Sequence, residues 1–109
     1  MRTLKFIVDN LIVTKDPDCN FDNLVPGTEG YLKAEFSFSP DWTGYKKVAS
    51  FKSVMGVEYP PQVLKDGKTC LIPAEALKKR VIVIKVLGKK GDSMLVTNEV
   101  SVKQSGGNK

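Results

Sequence analysis

The chain has 109 residues, 41% hydrophobic and 27% charged, with a formal net charge of +5 and no histidine. That size and balance suit one globular domain and argue against disorder. The absence of imidazole removes Ser-His-Asp triads, histidine metal sites and histidine acid–base chemistry.

TLKFIV opens with period-two alternation, Leu4 and Phe6 on one face and Lys5 on the other. NLIVTK continues as strand after a kink or bulge at Asp9-Asn10. Residues 15–30, KDPDCNFDNLVPGTEG, read as a long loop pinned to the body by Leu24 and Val25. Within it Asp16, Asp18, Asn20 and Asp22 have the alternate spacing of a calcium loop. Phe21 stands where that loop needs glycine, and Gly27 where it needs a bidentate glutamate. The turn-forming habit of Asp and Asn is the better account, and we expect no metal and no cofactor.

YLKAEFSF is a half-buried antiparallel strand, with Leu32, Ala34, Phe36 and Phe38 inward. SPDWTG breaks it, and alternation resumes with Ala49, Phe51 and Ser53 on the face of Lys47. Trp42, the only tryptophan, therefore lies between two strands and is expected to plug the end of the core. VEYPPQVL is a short extended piece that Pro60 and Pro61 keep from the middle of a sheet. KDGK predicts a hairpin turn, and Ala74 to Lys79 a short helical turn after Pro73. VIVIKVL is the expected central strand, apolar on both faces apart from Lys85, and GKKGDS turns it back. MLVTNEVSVK closes the domain with a bulge at Thr97-Asn98. These elements predict an all-β fold of seven to nine short strands, a β-sandwich or barrel. Residues 1–103 form the single domain and 104–109 a flexible tail. The expected core adds Ile72, Ile82, Ile84 and Val86 to the residues above.

Cys19 and Cys70 are expected to be free thiols, Cys70 as a small buried hydrophobe; whether they pair is left open. No apolar run approaches the length of a membrane span and no secretory leader is evident, so no membrane partner is expected. Residues 1–44 carry four bases against seven acids, a balance of −3; residues 45–109 carry thirteen against five, a balance of +8. Lysines decorating strand surfaces account for this better than nucleic acid, since the basic half lacks interleaved aromatics. Tyr45, Lys46, Lys47, Lys52 and Tyr59 form the candidate protein-contact patch.

TLKFIV, YLKAEFSFSPDWTGYKKVASF, TCLIPAEAL and VTNEVSVKQSGG together resemble a family of small phage and prophage proteins, and in particular the N-terminal immunoglobulin-like domain of phage baseplate upper proteins. The resemblance covers most of the chain. It implies an immunoglobulin-like antiparallel β-sandwich of bacteriophage origin, and it carries over no catalytic residues. Unlike the baseplate protein, the sequence stops soon after the domain, without coiled coil or receptor-binding module. The expectation is a non-enzymatic protein acting by protein–protein contact in the virion, as a tail, baseplate or head-decoration component. The alternatives are an inhibitor of a host defence protein and a basic nucleic-acid-binding domain. The expected locations are the virion or the bacterial host cytoplasm, with partners among phage virion proteins or host proteins and a homo-oligomer left open.

Overall fold

The computed structural model describes residues 1–104. Among them are nine strands in two facing sheets: β1 (Arg2–Asp9), β2 (Ile12–Lys15), β3 (Leu32–Phe38), β4 (Lys46–Ser53), β5 (Gln62–Val63), β6 (Thr69–Leu71), β7 (Val81–Lys90), β8 (Ser93–Val96) and β9 (Val100–Lys103). The first sheet has the order β2-β1-β3-β6; the second has β5-β4-β7, with β8 and β9 both on the far edge of β7. From β3 onward the pairing follows an immunoglobulin sandwich. β3 pairs β6, β4 pairs β7, β7 pairs β8 and β9, and β5 extends the second sheet.

The alternation seen in β3 and β4 places Leu32, Ala34, Phe36, Ala49 and Phe51 in the core with Leu4, Phe6, Val8, Ile72, Ile82, Ile84 and Val86. Phe38, at the end of its strand, is only partly buried and packs against the core edge. KDGK forms its turn, with Asp66 and Gly67 both at positive φ and Lys68 N–H donating to Lys65 C=O at 3.0 Å. It joins β5 in one sheet to β6 in the other, so it is a corner of the sandwich. A single turn of 3₁₀ helix, Ala76–Lys78, buries Ala76 and Leu77 where the longer turn was expected. The bulge near Thr97-Asn98 is present. Leu87 pairs Val96 and Ile84 pairs Val100, so two residues of β7 face three of the partner chain.

Six expectations need correction. Asp9-Asn10 is a full reversal: Asp9 pairs Ile12 across a two-residue turn in which Asn10 takes φ 54°. β3 is antiparallel to β6 but parallel to β1, with Arg2 opposite Leu32 through Val8 opposite Phe38, so the sheet is mixed. Leu24 is buried, but Val25 is exposed and pins nothing. β7 runs on through Gly88 to Lys90, and the reversal falls at Gly91-Asp92. Its second face is only half covered, with Val81, Lys85 and Leu87 partly exposed. Gln104 belongs to the body: its buried side chain donates to Leu77 C=O at 3.0 Å and Lys79 C=O at 2.8 Å. The rest of the expected tail, 105–109, lies outside the described residues.

Trp42 does close one end of the core. It sits in a 3₁₀ turn, Pro40–Trp42, that carries the chain from β3 to β4. The ring is fully buried, lies 5.1 Å from the Phe38 ring, and donates from Nε1 to Asn10 C=O at 2.7 Å. Its six-membered ring lies on the backbone of Gly88, where a Cβ would stand 2.7 Å from Cζ3. Gly88 therefore gives the tryptophan its seat.

Candidate functional site

Directly paired residues share one face of a sheet. The register of the second sheet therefore defines its outer surface. One row runs Val63–Val48–Leu87–Val96 across β5, β4, β7 and β8. Beside it on one side run Lys46, Lys89 and Met94; on the other, Ser50 faces Lys85. Val63 is 60% exposed, and Met94 and Val96 are also exposed. Two walls make this surface concave: the Glu58–Pro61 segment and the β7–β8 hairpin at Met94. The resulting groove, about 420 Å³, has Val48, Leu87 and the Gly88 backbone as its floor. Lys46, Lys85 and Lys89 line it against one acid, Glu58.

Lys46 stands directly opposite Lys89, which is an unfavourable cross-strand pair. Nothing in the local fold requires two ammonium groups there. The pair concentrates positive charge beside an apolar row, a surface suited to a partner with carboxylates around an apolar side chain.

The five residues singled out in the sequence do not form one patch. Lys46 lines the groove. Lys52 lies on the same face and ion-pairs with Glu99 at 2.6 Å. That hydrogen bond and charge hold the Lys52 pKa above the usual lysine value and the Glu99 pKa below the usual glutamate value. Tyr45 leans on Trp42 with ring centroids 6.3 Å apart, and Lys90 Nζ lies 5.6 Å from its ring. Lys47 turns toward the core end; its Nζ donates to Tyr45 C=O at 3.1 Å and lies 5.2 Å from the Phe38 ring. Tyr59 packs against the core, and its Oη is buried. Tyr45, Lys47 and Tyr59 are thus chiefly structural.

Sequence reasoning missed Val48, Leu87, Val96 and Met94. The available signal was an apolar residue in the polar phase of an alternating strand, as Val48 is between Lys47 and Ala49.

In the Asp-rich loop the side-chain oxygens serve the backbone. Asp16 Oδ1 accepts from Asp18 N–H at 2.9 Å, and Asn20 Oδ1 accepts from Asp22 N–H at 2.7 Å. Both cysteines are free. Burial raises the Cys70 thiol to about 12, which keeps it protonated and unreactive at neutral pH.

No protein-family model and no curated protein matches this chain.

Proposed function

We propose that the chain is a non-enzymatic bacteriophage protein that acts by protein–protein contact, as a component of the virion. The contact surface is the outer face of the second sheet. The observation that carries this reading is the apolar row Val63–Val48–Leu87–Val96 on the outer face of a sheet whose other face builds the core, with Val63 and Val96 exposed and Val48 and Leu87 half-buried between them. An exposed apolar stripe inside a polar rim is the usual form of a protein-binding surface. The lysines beside it favour a partner that brings carboxylates. The non-enzymatic part rests on chemistry. The chain lacks histidine, Lys52 and Glu99 satisfy each other, and the one thiol with a raised pKa is held protonated. The phage setting rests on the resemblance of the strand and turn pattern to baseplate upper proteins.

The test is peptide mass spectrometry on purified particles of the phage that encodes the chain. The expected result is presence at stoichiometric level, with incorporation lost in Leu87→Lys. Presence in infected cells without presence in particles would overturn the virion role and direct attention to host proteins.

A further inference from the structure

At the opposite end of the molecule from Trp42, β4 leaves the sheet through Ser53-Val54-Met55-Gly56-Val57. The turn is tightly built. Gly56 N–H donates to Ser53 C=O at 3.0 Å, Ser53 N–H to Val57 C=O at 2.9 Å, and Val57 N–H to Ser53 Oγ at 3.2 Å. Gly56 takes φ 91° to close it. Val54 and Met55 therefore occupy the two central positions of a turn that Ser53 and Gly56 suit at its ends and that accepts most residues at its centre. Met55 is 86% exposed, and Val54 and Val57 are more than half exposed. These three neighbouring side chains together make an exposed apolar tip.

The neighbouring segment supplies charge. Lys78, Lys79 and Arg80 are consecutive and exposed where the chain enters β7. With Val54, Met55, Val57 and Val81 they line one open hollow of about 540 Å³. Lys103 stands opposite Val81 at the same end. The only ion pair among the described residues is Lys52–Glu99, so no described carboxylate pairs with these bases. Glu75 is the nearby acid in sequence.

We propose that this end is a docking tip for an anionic lipid bilayer surface: Val54, Met55 and Val57 enter the headgroup–acyl boundary, and Lys78, Lys79 and Arg80 contact acidic headgroups. An apolar tip beside a basic cluster combines the two contributions that set interfacial binding, buried apolar area and attraction to anionic headgroups. A second copy is disfavoured because its corresponding tip and its sheet groove are both ringed by bases. A protein pocket is disfavoured by size, since three side chains fall far short of the roughly 800 Å² per partner of a standard interface. A bilayer accepts a projecting tip without a complementary pocket. The expectation of no membrane partner rested on spanning length; no helix among the described residues is long and apolar enough to cross a membrane, which does not bear on surface contact. The inference concerns a different surface from the sheet groove and is independent of it.

Flotation of the full chain with phosphatidylglycerol–phosphatidylcholine vesicles, against pure phosphatidylcholine, tests it. Expected are binding to the anionic vesicles alone, weakening as salt rises, and about fivefold lower partitioning for each base removed among K78Q, K79Q and R80Q. Val54→Ser, Met55→Ser and Val57→Ser together must also abolish binding while leaving the thermal midpoint in place, because these side chains are already in water. Binding that survives the serine changes would be plain adsorption of a basic protein and overturns the proposal. So does absence of binding to anionic vesicles. Tip-dependent self-association in sedimentation without vesicles overturns it in favour of a second copy. A cross-link from Met55→Cys to a protein in particles, without vesicle binding, overturns it in favour of a protein pocket.

Discussion

Gly88→Ala is the smallest change that tests the closure of the core. The added Cβ would lie 2.7 Å from Trp42 Cζ3, 3.0 Å from Cε3 and 3.3 Å from Tyr45 Cδ2. Carbon atoms pack at about 3.5–4.0 Å, so the indole must retreat by roughly 0.8 Å. It has little room to do so, held by Nε1–H to Asn10 C=O at 2.7 Å and by Phe38. Overpacking of this kind costs about 1–3 kcal/mol. A weakened hydrogen bond adds about 1 kcal/mol, while alanine in a strand gains about 0.5–1 kcal/mol over glycine. The net expectation is a loss of about 1–3 kcal/mol, read as a lower urea midpoint by far-UV circular dichroism. In a Trp42→Phe background the outer ring is gone, and the same Gly88→Ala change becomes neutral or stabilising. The cycle should give a coupling of about 1–3 kcal/mol. Equal effects of Gly88→Ala in both backgrounds would show that the ring does not rest on that backbone, and the seat argument would fail.

Lys89→Glu replaces a like-charge cross-strand pair with an opposite one; it should raise urea stability by about 0.2–1 kcal/mol and abolish incorporation into particles, and a loss of stability would contradict the register. Gln104→Leu leaves the Lys79 carbonyl without its side-chain partner and should cost about 1–3 kcal/mol by thermal or chemical unfolding; an unchanged midpoint would put Gln104 outside the domain. In the native protein a thiol reagent should modify Cys19 well before Cys70, and both rapidly in denaturant. Because burial raises the folded Cys70 pKa from the ordinary thiol range to about 12, its contribution to stability is intact below the ordinary value and falls as pH rises toward 12, a slope that Cys70→Ala should remove. Glu99 should titrate below the ordinary glutamate range by NMR and return to it in Lys52→Met; its contribution is present above the ordinary pKa and lost as pH falls through the lowered one. Lys52 behaves inversely, its contribution being lost only as pH rises through its raised pKa.

Local periodicity and local turn chemistry were legible, and pairing was not. The inward set of β3 and β4, the KDGK turn and the Thr97-Asn98 bulge each rest on a few adjacent residues. The Asn10-Leu11 reversal lacks the Asn-Gly signal that usually announces a two-residue hairpin, so NLIVTK read as a continuation. The parallel partnership of β1 with β3 joins segments about thirty residues apart, and no local pattern encodes it. Gly88 looked like the first residue of a turn because glycine opens so many turns. Its function is set by Trp42, a residue elsewhere in the chain whose bulk leaves no room for a side chain at that place.

The same division explains which surface residues were found. Tyr45, Lys47 and Tyr59 have the composition of contact residues, yet the aromatic end and the core recruit all three. The groove residues have unremarked types, and the row exists only once β4, β5, β7 and β8 are in register. What marks both surfaces is apolar or like-charged side chains left toward solvent: Val48 and Leu87 on the wet face of their strands, two lysines set opposite each other, and Val54 and Met55 exposed at a turn. Each departure costs the isolated domain something or gains it nothing, whereas the departure at Gly88 is repaid inside the fold by the buried indole. Departures that the fold itself does not repay are concentrated at the sheet groove and the 53–57 tip, the two surfaces on which the proposed contacts are placed.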